Sequence, residues 1–192
     1  MPTIALAGYM TRAYLRNRRP SHLFWSIGMW AFAVSVLLET AFSQNVYSGF
    51  LIDSYLLLVV ILVEMLALGS LQLIKNGLYK KSYYAFAFVV TMITAYTIFS
   101  ADQGNLIMNY VVAGQPTLPV IIMSSIATFA AAIIIVAIAL LSYGKTHSAK
   151  MLSIIAGVVV VSIAGTVYIV AYPYLLYYAE FIGIALLWIG FV

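Results

Sequence analysis

Acidic residues within apolar stretches are the first candidates for chemistry in this sequence. Three of the five acids have such surroundings, namely Glu39, Glu64 and Glu180. Glu64 lies about ten residues into a predicted membrane helix that begins near Ser54, so we expect it close to the bilayer midplane. An ionised carboxylate at that depth costs at least about 2.5 kcal/mol. Glu64 should therefore face the interior of a helix bundle, either as a proton relay or polar ligand contact, or as a protonated acid bonded to a neighbouring helix.

The other two acids lie nearer the predicted outer ends of their helices. Glu180 and Tyr177 are three residues apart and share a helix face. A tyrosine hydroxyl can donate to a carboxylate, so this pair predicts either a polar pocket open to the outside or an aromatic belt at the interface. Glu39 should reach headgroup water. The candidate intramembrane polar site therefore comprises Glu64, Glu180, Tyr177 and Glu39.

Residue types for other kinds of chemistry are missing or misplaced. The sequence has no cysteine, no G-x-S-x-G elbow and no glycine-rich phosphate loop. Haem in a helix bundle needs ligands that project inward, but His22 opens a predicted helix and His147 lies in a predicted loop. We therefore expect no catalytic residue, no cofactor and no metal. The residue types present do not favour an enzyme.

The composition indicates which solvent surrounds these residues. Hydrophobic residues make up 65% of the 192 positions and charged residues 7%, whereas soluble domains are about half apolar and about a quarter charged. Residues 127–141 are apolar without the alternation of a barrel strand. A helix satisfies its own backbone groups in lipid. The predicted fold class is therefore all-α, a polytopic transmembrane helix bundle.

Six spanning helices are predicted within a single domain of residues 1–192. They cover about residues 22–42, 54–74, 83–100, 119–143, 151–171 and 174–192. Residues 1–20 form an N-terminal segment with too short an apolar stretch to span. Ile4, Ala7, Met10 and Tyr14 give it one apolar stripe, which predicts a short interfacial helix. A frayed terminus is the alternative.

The basic residues predict the orientation. All nine Lys and Arg lie in three segments, residues 12–19, 75–81 and 145–150, which six spans place on one side of the membrane. The positive-inside rule then predicts a multi-pass protein of the cell membrane with both termini cytoplasmic. We expect the lipid bilayer around the chain and a second copy or other membrane subunits as partners. Nucleic acid is not expected, because the basic residues form no patch on a folded domain.

The two halves of the sequence show no inverted repeat. Small residues at four-residue spacing occur in the fourth and fifth predicted spans. Such spacing lets helices approach closely, so it predicts tight packing of these two helices. The residues concerned are Ser124, Thr128 and Ala132 in the fourth span, and Ser153, Gly157 and Gly165 in the fifth.

Two segments near the ends of the sequence carry a recognisable pattern. Residues 16–28 contain an Arg-rich segment followed by Pro20-x-His22-Leu23-x-Trp25 and Gly28, and the helix ends near Glu39. This pattern resembles a family of uncharacterised prokaryotic polytopic membrane proteins, and residues 177–183 and 190–191 are similar to that family's last helix. The resemblance implies a bundle of six to seven helices and implies no activity. Family members usually carry a complete membrane helix before the arginines, where this sequence has a shorter apolar segment.

Two functional hypotheses remain open. The first is a small transporter, channel or ligand-sensing bundle, with Glu64 and Glu180 as polar points in its interior. The alternative is a non-catalytic accessory subunit of a larger membrane complex, respiratory or secretory. A polar cavity at Glu64 favours the first hypothesis, whereas a solid core with one flat face of small residues favours the second.

Overall fold

Helices dominate this computed structural model, which describes residues 2–101, 106–108, 111–112, 114–150, 152–157, 159–160 and 173–191. The helices are α1 (Pro2–Asn17), α2 (Pro20–Ser43), α3 (Gly49–Leu71), α4 (Gly77–Ser100), α5 (Leu118–Thr146), α6 (the helical residues 149–150, 152–157 and 159–160) and α7 (Pro173–Phe191). Two short antiparallel strands, β1 (Ile107–Met108) and β2 (Val111–Val112), lie between α4 and α5.

Four of the described helices are long and apolar enough to cross a membrane, namely α2, α3, α4 and α5. The prediction of an all-α membrane protein is confirmed at this level. α7 covers the predicted sixth span almost completely. The predicted fifth span, residues 151–171, falls largely outside the described residues.

The bounds of α3 and α4 differ from the prediction. α3 begins at Gly49 and ends at Leu71, and α4 begins at Gly77. Ser48 accepts a hydrogen bond from the Leu51 amide, and Asn76 accepts one from the Leu78 amide, so each helix starts at a side-chain cap. The predicted bounds began at Ser54 and Tyr83 and so missed the first five residues of α3 and the first six of α4.

The first compact unit covers residues 1–128 and begins with a tight helical hairpin. Arg18 has a positive φ of 51° just after α1, and its amide bonds to the Tyr14 carbonyl at 2.7 Å. Pro20 then starts α2, where its missing N–H leaves no unpaired donor. Two connecting residues thus fold α1 back onto α2.

α1 packs against α2 through a face that the predicted stripe described only in part. Leu6, Ala7 and Met10 are at most 1% exposed, whereas Ile4 of the predicted stripe is 38% exposed. The buried face is rotated because α2 covers the side next to Leu6. The Thr11 hydroxyl bonds to the Ser26 hydroxyl at 2.7 Å. The described part of α1 is therefore a docked helix and not a frayed terminus.

α2 and α3 approach closely at two glycines. A Cβ on Gly28 would lie 3.2 Å from the Leu62 carbonyl oxygen. The Trp25 indole lies directly on Gly69, and its Nε1 donates to the Leu66 carbonyl at 3.3 Å. Any side chain at Gly69 would displace this ring.

An apolar cluster joins α3, α4 and the first part of α5. Its buried members are Val60, Val90 and Ala127, with Phe86 and Met123 packed against them. Each of the three helices contributes at least one of these side chains, so the cluster is a continuous apolar contact between them.

The second compact unit covers residues 129–192, and small residues join α6 to α7 within it. The Ser153 hydroxyl donates to the Leu186 carbonyl at 2.6 Å. A Cβ on Gly157 would lie 3.1 Å from the Gly183 carbonyl oxygen. Ser153 and Gly157 therefore pack closely against α7, while Gly165 lies outside the described residues.

The small residues predicted to pack in α5 are not its most buried ones. Ser124 and Thr128 are half-buried, and their hydroxyls bond to carbonyls one turn earlier in the same helix. Ala132 is also half-buried, whereas Ala127 and Ala131 are fully buried. The predicted stripe is therefore displaced by one position from the buried face, because hydroxyls can satisfy themselves locally and alanines need no partner.

Candidate functional site

Glu64 on α3 and Tyr83 on α4 form a buried pair. The Tyr83 hydroxyl donates to Glu64 Oε2 at 2.7 Å. Glu64 is 1% exposed and Tyr83 is 7% exposed, so both side chains face protein. The prediction that Glu64 points into the bundle is confirmed, and its partner is a phenol on the next helix.

The two carboxyl oxygens of Glu64 differ in their surroundings. Oε2 accepts from Tyr83, whereas Oε1 is buried and has no hydrogen-bond partner among the described residues. Leaving a buried polar atom unpartnered costs about 1–3 kcal/mol. Such an atom is where a proton, a water molecule or a polar group of a ligand would be stabilised.

The pair lies close to the turn between α3 and α4. Glu64 is seven residues before the end of α3, which corresponds to about 10 Å along the axis, and Tyr83 is six residues after the start of α4. Glu64 is therefore displaced from the middle of its helix toward that turn. Because α3 starts at Gly49 and not near Ser54, Glu64 lies about one helical turn from the middle of α3. Its depth relative to the bilayer midplane stays a prediction.

Apolar side chains cover the pair on the side away from this turn. The Phe86 ring stacks on the Tyr83 ring with 5.6 Å between centroids and 29° between planes. Val60, one turn before Glu64 on α3, belongs to the apolar cluster that Phe86 also contacts. Access from that direction would require parting these side chains.

A second carboxyl–phenol pair joins α2 to α3. The Tyr55 hydroxyl donates to Glu39 Oε1 at 2.6 Å, and Tyr55 is 6% exposed. Phe42 contacts Tyr55 edge to face at 5.9 Å. Glu39 was expected to reach headgroup water; it is half-buried, and Tyr55 covers one of its oxygens.

Glu180 and Tyr177 lie three residues apart on α7, as the sequence indicates. Their side chains lie outside the part of the chain that the structure describes. The polar pocket predicted there stays a prediction.

Sequence reasoning missed both phenol partners. Glu64 lies seven residues before a helix end and Tyr83 six residues after the next helix start. Glu39 lies four residues before the end of α2, and Tyr55 six residues after the start of α3. Positions at similar distances from one turn lie near each other across an antiparallel hairpin, so the observed helix ends bring each phenol within reach of its acid. The predicted bounds, 54–74 and 83–100, did not give similar distances for Glu64 and Tyr83.

The histidines do not join either pair. The His22 ring contacts Trp25 edge to face at 5.7 Å, and its Nδ1 is buried without a hydrogen-bond partner in the described structure. Within the described residues, no three His, Cys, Asp or Glu side chains are grouped to hold a metal ion.

Comparison with protein-family models, curated proteins and solved structures finds no match for this chain. The two pairs and their positions in the helices are therefore the features that bear on its function.

Proposed function

We propose that the chain is a small transporter, channel or ligand-sensing bundle of the cell membrane, with Glu64 as the group that binds and releases a proton. One observation carries the proposal: Oε2 of a fully buried carboxyl is held by Tyr83, while Oε1 has no described partner. The held oxygen fixes the carboxyl in place. The free oxygen can gain or lose a proton without breaking that bond.

A purely structural role explains this arrangement less well. A hydrogen bond between two helices needs one donor and one acceptor, and an amide or hydroxyl would supply the acceptor without a titratable group. An acid at this depth carries the additional cost of its charged form. Acids kept inside membrane helices are functional candidates by default for this reason.

The orientation that accompanies this proposal has the three basic segments on the cytoplasmic side and six spans that include α6. Both termini are then cytoplasmic if α1 lies at the membrane surface. The exposed residues of α1 bear on this point, because Ile4 and Tyr9 toward its start are uncharged and Arg12 and Arg16 toward its end are charged. An interfacial helix normally turns a charged face outward. A cysteine that replaces Ile4 can be tested for labelling from each side of the membrane. The side that labels it shows on which side of the membrane α1 begins.

An accessory subunit of a respiratory or secretory complex is the second candidate. The solid apolar cluster of Val60, Val90 and Ala127 beside the Glu64 pair supports it, because a conduit would need polar surface there. Native purification in mild detergent with mass spectrometry of co-purifying chains tests this alternative. A stable set of partner subunits would favour it.

The proton-binding proposal is tested by titrating the carboxyl itself. Infrared difference spectra of the protein in lipid nanodiscs, recorded across a pH series, should contain a carboxyl band that disappears in Glu64→Gln. Glutamine keeps the shape and can accept from Tyr83 but cannot titrate. Glu39→Gln is the matched control and should leave the Glu64 band in place. A spectrum in which no pH-dependent band is lost in Glu64→Gln contradicts the proposal.

A further inference from the structure

The two carboxyl–phenol pairs lie at opposite ends of α3. Tyr55 is six residues after the start of α3 and Glu64 is seven residues before its end. The first pair lies beside the turn between α2 and α3, and the second beside the turn between α3 and α4. Because α3 is long and apolar enough to cross the membrane, these turns belong to opposite membrane faces.

The pairs also lie on opposite sides of α3. Tyr55 and Glu64 are nine residues apart, which is about 2.5 helical turns and about 13 Å of rise. A half-turn offset directs Tyr55 toward α2 and Glu64 toward α4, in agreement with their hydrogen bonds. Residues 56–63 between them read LLLVVILV and supply no polar side chain.

Among the described residues, the buried hydroxyls of α2 and α4 at intermediate depth do not bridge this gap. The buried Ser35 hydroxyl on α2 donates to the Ala31 carbonyl, and the buried Thr94 hydroxyl on α4 donates to the Val90 carbonyl. Each hydroxyl is thus committed to its own helix. Val60 and Val90 belong to the apolar cluster that separates the Glu64 pair from the far side.

We infer that each pair exchanges its proton with water on its own side of the membrane, so that Glu64–Tyr83 and Glu39–Tyr55 are two one-sided proton sites and not two stations of one path. This inference rests on the proposed function, namely that Glu64 titrates, and adds the Glu39 pair as a second site. Together the two sites would report the pH of the two compartments separately. That assignment favours sensing over transport among the proposed functions.

The proton balance is the same at both sites. The neutral carboxylic acid releases one proton to water and becomes a carboxylate, while the phenol keeps its proton and continues to donate to the carboxylate. At Glu64, release from Oε1 leaves the Tyr83 bond to Oε2 unchanged. At Glu39, release from Oε2 leaves the Tyr55 bond to Oε1 unchanged.

Other titratable groups lie near the sites in the described part of the chain, among them Tyr84, which follows Tyr83 on α4 and accepts from Gln72 Nε2. Near Glu64, α4 also carries Lys80, whose Nζ lies 3.3 Å from the Gln72 carbonyl oxygen, and α2 carries His22 at its start against Trp25. The α5 residues in the apolar cluster are uncharged. Near Glu39, Asp53 lies two residues before Tyr55 in the first turns of α3.

The test uses vesicles in which the two faces are controlled independently. The chain has no natural cysteine, so Lys81→Cys supplies a single thiol on the side of the α3–α4 turn. The protein is reconstituted at about one copy per vesicle, so each vesicle has a single orientation. A thiol-reactive resin then captures only the vesicles in which this turn faces the bath. Infrared spectra are then recorded while either the bath or the lumen is titrated, and Glu64→Gln and Glu39→Gln identify the two carboxyl bands by their loss.

The expected result is a Glu64 band that follows bath pH and does not respond to lumen pH, with the reverse for the Glu39 band. A Glu64 band that follows lumen pH, or both compartments equally, overturns the one-sided assignment while leaving proton binding intact. A Glu64 band that follows neither compartment overturns the proposed function and this inference together. Tyr83→Phe, which should shift the Glu64 band without removing it, keeps the assignment secure if Glu64→Gln does not fold.

Discussion

A double-mutant cycle on Glu64 and Tyr83 tests whether the pair acts as one buried unit. Glu64→Leu leaves the Tyr83 hydroxyl without its acceptor, and Tyr83→Phe removes the hydrogen bond that Glu64 Oε2 accepts. The first change strands a donor and the second leaves both carboxyl oxygens without a described partner. Each single substitution should therefore destabilise the protein by about 1–3 kcal/mol.

The double variant should be more stable than the sum of the singles predicts. In the double variant, leucine and phenylalanine replace both members of the pair, so no side-chain polar atom of the pair lacks a partner. The two apolar side chains are similar in size to those they replace, and they meet beside Phe86. Replacing both partners of a buried hydrogen bond can be nearly neutral. Hydrogen bonds between membrane helices average about 0.6 kcal/mol and reach about 1.7 kcal/mol, so we expect a coupling energy of about 0.6–1.7 kcal/mol.

The measurement is equilibrium unfolding in detergent micelles for the wild type, both single variants and the double variant. Tyr84→Phe is the matched control, because Tyr84 lies next in sequence but at the exposed edge, where Gln72 Nε2 donates to it at 2.6 Å. That change should cost less than about 0.5 kcal/mol. Costs that simply add in the Glu64→Leu/Tyr83→Phe variant would refute the description of the pair as a coupled buried unit.

Two further predictions concern packing and topology. Gly69→Ala should destabilise the α2–α3 contact by about 1–3 kcal/mol in the same unfolding assay, because its Cβ would collide with the Trp25 ring. Gly8→Ala is its control, since a Cβ there meets nothing within 4 Å and should stabilise α1 by about 0.5–1 kcal/mol. Equal stability of Gly69→Ala and wild type would contradict the contact. A cysteine at Lys80 should react with an impermeant thiol reagent only from the cytoplasmic side, and one at Gln44 only from outside. Labelling at Lys80 in intact cells would reverse the assigned orientation.

The sequence predicted the fold class and the inward orientation of Glu64 because both follow from solvent. A chain this apolar must satisfy its backbone within helices, and an acid must avoid hydrocarbon. Helix ends were predicted less well, since the caps at Ser48 and Asn76 start α3 five residues and α4 six residues before the predicted bounds. The earlier start of α3 places Glu64 about one turn from the middle of its helix, where the predicted bounds had placed it at the middle.

Which residues meet across helices could not be read from spacing within one helix. The α5 stripe illustrates this, because Ser124 and Thr128 satisfy their hydroxyls locally while Ala127 takes the most buried position. α1 illustrates it too, since its buried face is set by the position of α2. Sequence periodicity gives a face to within about one residue, and the neighbouring helix decides the rest.

The placement of the two pairs limits what a transport mechanism could be. For a proton to pass from Glu39 to Glu64, α3 would have to rotate by about half a turn, or water would have to enter the space beside residues 56–63. Water in that space would expose Val60 and its neighbours. The free-energy cost is about 25 cal/mol for each Å² of apolar surface exposed. A continuous chain of water molecules there would contact a large apolar area, and no polar side chain in residues 56–63 of α3 would offset that cost. Two independent sites, each reached through the nearest hairpin turn, require neither change.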